Sequence, residues 1–271
     1  MNKPLMNNQM NKVQITDDSA TIYKNIDDHG YHIINDFISE QQINIIKSAL
    51  LSMLQYIKPD DITDLNEKYY QIQKEHPVLL SHFYDLLPSE INTLQTFYSP
   101  VFIDLIKGYF KTDVLLSARP AIHIHDSTNA RFLVPHQETH QFSTDFLFIW
   151  LPLDDTNYEL GRLAIYKDSH KDGYCTHHLD NQLGSSHIKT DIVERYERYE
   201  IDIPAGSAAL VHSALIHGSC QNRKKDHVRW ILSDRYCPLQ KLPFLKEENA
   251  ERKIPYMEPH LKDLDYNAIV D

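Results

Sequence analysis

The stretch 145–153, DFLFIWLPL, has almost no polar side chain, so a strand built from it needs cover on both faces. It is also far shorter than the roughly 18 apolar residues of a membrane-spanning helix. The chain must therefore supply a second layer on each side of a sheet. The flanking sequence offers the material. Residues 114–117, 121–125, 162–166, 200–203, 208–212 and 228–236 read as short strands. Thr156-Asn157, Lys171-Asp172-Gly173 and Pro204-Ala205-Gly206 separate several of them as turns. Upstream lie helices. Ser39 and Gln42 have the spacing of a capping box, Ile38 and Ile43 that of a hydrophobic staple, and Ile43, Ile46, Leu50 and Leu54 recur at helical intervals. The spacing predicts a helix over 39–55 and, before it, a short strand over 31–34. A second helical region runs, with breaks, from about 67 to 110, restarting at Pro88-Ser89 and with Gly108 as a break or C-cap near its end. Helices followed by short strands imply a mainly β, α+β fold: a sandwich or jelly roll packed against helices. Residues 1–20 read as a flexible polar arm and 21–271 as one domain. Residues 174–199 form a long connection of the kind that serves as a lid.

Composition narrows the function. Hydrophobic residues at 42% and charged residues at 24% are ordinary globular usage, and 27 basic against 38 acidic residues give a net charge of −11. Neither nucleic acid nor an anionic membrane is an expected partner of so acidic a chain. The three cysteines form no CxxC pair, which fits a reducing compartment, and no secretory signal is expected, so the cytoplasm is the expected location. Only 7 glycines make phosphate-cradling loops scarce, whereas 16 histidines direct attention to metals.

On an extended strand, residues i and i+2 share a face. His136 and Glu138 in Pro135-His136-Gln137-Glu138 can thus present a nitrogen and a carboxylate oxygen to one point. Far downstream, His217-Gly218-Ser219 supplies a second nitrogen. Two histidines and one carboxylate are the facial triad of non-haem Fe(II) oxygenases, which leaves coordination positions open. Arg229 then falls in an otherwise apolar strand with Val228, Trp230, Ile231 and Leu232. A charge there needs a partner. A guanidinium grips a carboxylate through two parallel hydrogen bonds. A diacid that chelates iron at one end and meets Arg229 at the other satisfies both needs, and 2-oxoglutarate is such a diacid.

The order His136-x-Glu138, Gly161-Arg-Leu-Ala-Ile165, Ser169-His170-Lys171-Asp-Gly173, His217-x-Ser219-x-x-Asn222, Arg229-Trp230 and Asp234-Arg235-Tyr236 resembles the phytanoyl-CoA dioxygenase family over roughly residues 29–238. The resemblance implies a double-stranded β-helix, a small-molecule substrate, Fe(II) on His136, Glu138 and His217, and O2 as oxidant. It implies 2-oxoglutarate as cosubstrate, held by Arg229 with Ser219 as an added hydroxyl donor. It further implies hydroxylation with release of succinate and CO2, since the related halogenases lack the carboxylate that Glu138 provides. Three departures stand out: Glu138 where the family usually has Asp, Lys167-Asp168 where it commonly has Pro-Gly, and one extra residue between His217 and Arg229, placed near 223–226.

Rival readings are a zinc hydrolase on the same triad and a non-catalytic jelly-roll binding protein. The zinc hydrolase leaves Arg229 and the Ser219–Asn222 pattern unexplained. Among single residues, His212 competes with His217. His123 and His125 share a strand face, as core or pocket-lining groups or as a separate metal pair, and His140 is a loop or pocket residue. His177-His178 sits on the surface of the connection, and His170 fixes a turn. Arg235 pairs with a carboxylate, Arg119 is a second candidate for cosubstrate contact, and Cys220 is inert. The run 194–200 is a solvated, self-paired face.

Overall fold

Ser39 accepts a hydrogen bond from the Gln42 amide and starts helix α2, Glu40–Ile57, which buries Ile43, Ile46, Leu50 and Leu54 as its periodicity predicts. The return half of the capping box is not made, because Gln42 is buried and donates to Thr96 Oγ1 instead. The computed structural model describes residues 13–241 apart from 87–88, 119, 129–133, 139–145, 176 and 181–184. The predicted restart at Pro88 therefore lies outside the described residues.

The helical part otherwise consists of α1 (Ser19–His29), α3 (Leu65–Glu75), α4 (Pro77–Leu86), α5 (Ile91–Phe97) and α6 (Pro100–Phe110). Helix α1 starts inside the segment read as a loose arm. Asp18 caps its first turn, Gly30 ends it in the left-handed conformation, and only Ile22 and Ile26 are buried. Ahead of it, Val13 is buried and the Gln14 amide donates to the Phe37 carbonyl, so this part of the arm is docked. Gly108 does not break α6. A Cβ there would lie 2.3 Å from the Tyr23 hydroxyl, which donates to the Leu105 carbonyl, so glycine lets α1 approach.

The strands are β1 (Tyr31–Ile34), β2 (Leu115–Ser117), β3 (Ala121–His125), β4 (Leu147–Pro152), β5 (Leu163–Tyr166), β6 (His177–Asp180), β7 (Ser185–Ile188), β8 (Arg198–Ile201), β9 (Ala208–His212), β10 (His217–Ser219) and β11 (Arg229–Pro238). They form a six-stranded antiparallel sheet, ordered β1-β9-β4-β11-β2 with β3 also on β11, and a three-stranded antiparallel sheet, β10-β5-β8. Strand β8 lies two residues earlier than predicted. Its backbone pairs with β5, and Ile203 makes a separate bridge to Thr156. The long connection is not structureless, since β6 and β7 pair as a hairpin followed by the short helix α7, Thr190–Val193.

Strand alternation divides the core in two. Leu147, Ile149 and Leu151 of β4, Leu210 of β9 and Trp230, Leu232 and Tyr236 of β11 pack against the helices. Phe148, Trp150, Ala209, Val211 and Ile231 turn the other way and meet Leu163 and Ile165 of the smaller sheet. The stretch 146–153 is thus covered on both faces by two different layers. The fold is mixed α/β with antiparallel sheets. No helix among the described residues is long and apolar enough to cross a membrane.

Asp234, on the helix-facing side of β11, is fully buried and accepts from Ser117 Oγ and the Arg235 amide. Burial pushes its carboxyl up to about 6 against these hydrogen bonds. A raised folded-state value favours the protonated form, so its stability contribution is complete below about pH 4 and is lost as pH rises through about 6. Denaturation from pH 4 to 7.5 is expected to show Asp234→Asn gaining about 2–3 kcal/mol on the parent across that window. A pH-independent difference would mean that the carboxyl titrates normally.

Candidate metal and cosubstrate site

His136 and His217 face each other across an isolated antiparallel bridge, each amide donating to the other's carbonyl at 2.9 Å. This places the Pro135-His136 segment beside β10, and β10 in turn pairs with β5. The two imidazoles are held alike. Nδ1 of His136 bonds the Val134 carbonyl and Nδ1 of His217 the Leu215 carbonyl, both at 2.9 Å. A carbonyl partner requires N–H at Nδ1, so Nε2 is the atom of each ring that is turned towards Glu138 and left to ligate, as in metal-binding histidines. Glu138 Oε1 lies 3.7 Å from His136 Nε2 and 3.8 Å from His217 Nε2. Among the described residues these three side chains form the one cluster whose ligand atoms converge as a metal site requires.

The electrostatics suit a cation. Burial raises Glu138, but the Arg235 guanidinium and the two imidazoles outweigh it and hold the carboxyl well below its usual range. Burial and the neighbouring His136 lower His217, which keeps that imidazole neutral and able to ligate. Gln137, between the two ligands, is fully buried. It donates to the Gly173 and Ala214 carbonyls and accepts from the Cys175 amide, tying the ligand segment to two loops. The Ile188 amide at the end of β7 donates to the Pro135 carbonyl, which joins the hairpin to the same segment.

Arg229 is fully buried on β11, with its guanidinium 5.9 Å from the Trp150 ring. Nη1 donates to the Gly161 and Cys220 carbonyls, while Nε and Nη2 have no hydrogen-bond partner among the described residues. Burial lowers this group only to about 10, so it is a cation at neutral pH. Gly161 makes the seat possible. Its φ is +91°, and a Cβ there would lie 2.6 Å from Nη1. Ser219 follows His217 by two residues on β10, on the same strand face, and is half-buried. Asn222 is spent on backbone, donating to the His125 and His227 carbonyls.

The competing histidines fall elsewhere. His212 belongs to the strand parity of Leu210, opposite to Val211, and its Nδ1 accepts from the Ala214 amide. His170 bonds the Asp27 carbonyl beside the α1–β1 corner. Asp168 adopts φ +62° in the turn where Pro-Gly was expected, and so takes the conformation a glycine would supply. His123, whose Nε2 lies 2.8 Å from Ser233 Oγ, is lowered to about 3 by burial and by Arg235. Arg198 donates to Cys220 Sγ and pairs with Glu200. Arg119 and His140 lie outside the described residues, as do the side chains of His177 and His178. Arg235 does pair with a carboxylate, and that carboxylate is Glu138, with Nε 2.9 Å from Oε2.

A donor set of two imidazoles and one carboxylate converging on one point fits Fe(II), and a buried guanidinium whose Nε and Nη2 have no partner among the described residues fits the far carboxylate of a diacid. A search of the curated proteins finds no sequence match. Solved structures do match in fold. The 2-oxoglutarate complex of EvdO2 from Micromonospora carbonacea var. aurantiaca has 16% identity and a TM-score of 0.54, over 84% of this chain and 93% of that one. EctD from S. alaskensis, solved with 2-oxoglutarate and 5-hydroxyectoine, has 14% identity and a TM-score of 0.54, over 86% and 81%. The α-ketoglutarate-dependent epimerase SnoN from nogalamycin biosynthesis has 14% identity and a TM-score of 0.52, over 81% and 82%. At such identities the likeness is one of fold. The sequence itself matches the model of the phytanoyl-CoA dioxygenase (PhyH) family over residues 26–229, a span that takes in the triad and Arg229, and the chain belongs to that family of Fe(II)- and 2-oxoglutarate-dependent oxygenases.

Proposed function

We propose that this enzyme hydroxylates an aliphatic C–H bond of a small-molecule metabolite: an amino acid, acyl compound, sugar or natural-product intermediate. His136, Glu138 and His217 hold Fe(II). Arg229 receives the distal carboxylate of 2-oxoglutarate, with Ser219 adding a hydroxyl. The two sheets are read as the halves of a double-stranded β-helix, and the three free cysteines fit a cytoplasmic setting. The observation that carries this reading is a fully buried Arg229 whose Nε and Nη2 have no hydrogen-bond partner among the described residues. A zinc hydrolase on the same triad has no use for them.

When bound, iron and 2-oxoglutarate supply the oxidising power, with O2 consumed and succinate and CO2 released. The chain's own residues do the rest. The backbone carbonyls of Val134 and Leu215 fix both imidazole tautomers. Arg235 keeps Glu138 ionised in a buried place. Phe148, Trp150 and Ile231 make the layer between the sheets apolar beside the triad, with the Phe148 ring 4.7 Å from that of His217. Glu138 fills the position that halide would otherwise take, which supports hydroxylation over halogenation.

The test is spectroscopic and then catalytic. Anaerobic addition of Fe(II) and 2-oxoglutarate is expected to give the weak visible charge-transfer band of an iron–keto-acid chelate. Candidate metabolites are then screened for stimulated succinate release. Absence of the band with both components present would remove the oxygenase reading.

A further inference from the structure

We propose that Arg235 is the positioning residue for the carboxylate ligand: it ties up one oxygen of Glu138 so that the other alone is presented to the metal. This rests on the metal-site reading above and deepens it. A carboxylate has two oxygens that can both turn towards a cation. Here Oε2 accepts from Arg235 Nε at 2.9 Å, while Oε1 faces the Nε2 atoms of both imidazoles. Arg235 cannot swing away. It is 2% exposed, sits in the middle of β11, and its Nη1 donates to Ser233 Oγ at 3.3 Å. Ser233 Oγ is in turn 2.8 Å from His123 Nε2, so the guanidinium is braced from β3 as well.

The arrangement explains how a glutamate serves where a shorter acid is usual. Glu has one more rotatable bond than Asp and hence more ways to miss the metal or to chelate it through both oxygens. A buried, planar guanidinium removes that freedom, because its N–H directions are fixed. Ligand orientation from a neighbouring group of this kind typically governs metal affinity by 10- to 100-fold.

The experiment uses Zn(II), titrated into metal-free full-length protein against a chromophoric chelator. The His136→Ala/His217→Ala double variant sets the baseline, and far-UV circular dichroism checks folding. Arg235→Met is expected to weaken Zn(II) binding by about 10- to 100-fold. Arg235→Lys keeps the charge without the planar fork and is expected to recover part of the loss; it also serves if the Met variant fails to fold. The decisive arm is a cycle with Glu138→Ala. If Arg235 acts through Glu138, adding Arg235→Met to Glu138→Ala changes Zn(II) affinity by less than about twofold. Wild-type Zn(II) affinity in both Arg235 variants would overturn the proposal, and so would an undiminished loss in the Glu138→Ala background. Wild-type binding no tighter than the double-histidine baseline would instead overturn the metal site itself, and this inference with it.

Discussion

Arg229→Ala is expected to raise the 2-oxoglutarate concentration needed for half-saturation by on the order of 30- to several-thousand-fold, with metal affinity little changed. Truncating one partner of a buried, charge-assisted pair costs roughly 2–5 kcal/mol, and that range sets the fold-change. The split between the two affinities follows from placement. The triad hangs on the His136–His217 bridge and on Glu138, whereas Arg229 sits on β11, anchored separately by the Gly161 and Cys220 carbonyls. Arg229→Lys is expected to recover little. A lysine ammonium is a point charge and cannot reproduce two parallel N–H donors. Titration of the iron–keto-acid band against 2-oxoglutarate measures the effect directly. An unchanged midpoint would move the cosubstrate's carboxylate to another cation. Arg235 is an unsuitable replacement, because its Nε is committed to Glu138.

The place of Arg229 on a buried strand was legible in the sequence, because its neighbours Val228, Trp230, Ile231 and Leu232 are all apolar. The triad was legible for a related reason, since i and i+2 share a strand face whatever the rest of the fold does. Helix α2 announced itself through its cap and four periodic core residues. Helix α1 did not, because only two isoleucines are buried in a polar stretch; its signals were Asp18 at one end and Gly30 at the other. Strand β8 was displaced because Arg198, Tyr199 and Glu200 are all exposed, so no buried residue marked its start. What the sequence could not disclose were pairings set by tertiary structure. Gly108 reads as a helix breaker until Tyr23 of a distant helix is seen against it. Arg235 reads as a residue needing some carboxylate, and nothing local says that the carboxylate is a metal ligand. Gln137 carries no signal at all, since its buried partners are backbone groups of two remote loops.

Replacing a member of the triad is expected to have the largest effect of any single change. His136→Ala or His217→Ala removes one of three protein ligands and is expected to abolish 2-oxoglutarate turnover while the chain stays folded. Each imidazole is tied through Nδ1 to a carbonyl two residues away, and the bridge between the segments is made by backbone. Glu138 is the more discriminating position. Glu138→Asp keeps the charge but withdraws the carboxylate by the length of a C–C bond, about 1.5 Å. The shortened carboxylate has to abandon Arg235 to approach the imidazoles, or abandon the imidazoles to keep Arg235. Metal–oxygen bonds of about 2.0–2.2 Å tolerate little of this. Glu138→Asp is therefore expected to bind Fe(II) more weakly than the parent, even though the change moves the sequence towards its family. Glu138→Ala is expected to lose turnover entirely and to break the buried ion pair with Arg235, at a cost of about 3–5 kcal/mol in folding stability. Iron titration, succinate release and denaturation on the four variants measure each part. Equal iron affinity and turnover in the parent, Asp and Ala proteins would remove Glu138 from the metal and leave a two-histidine site in its place.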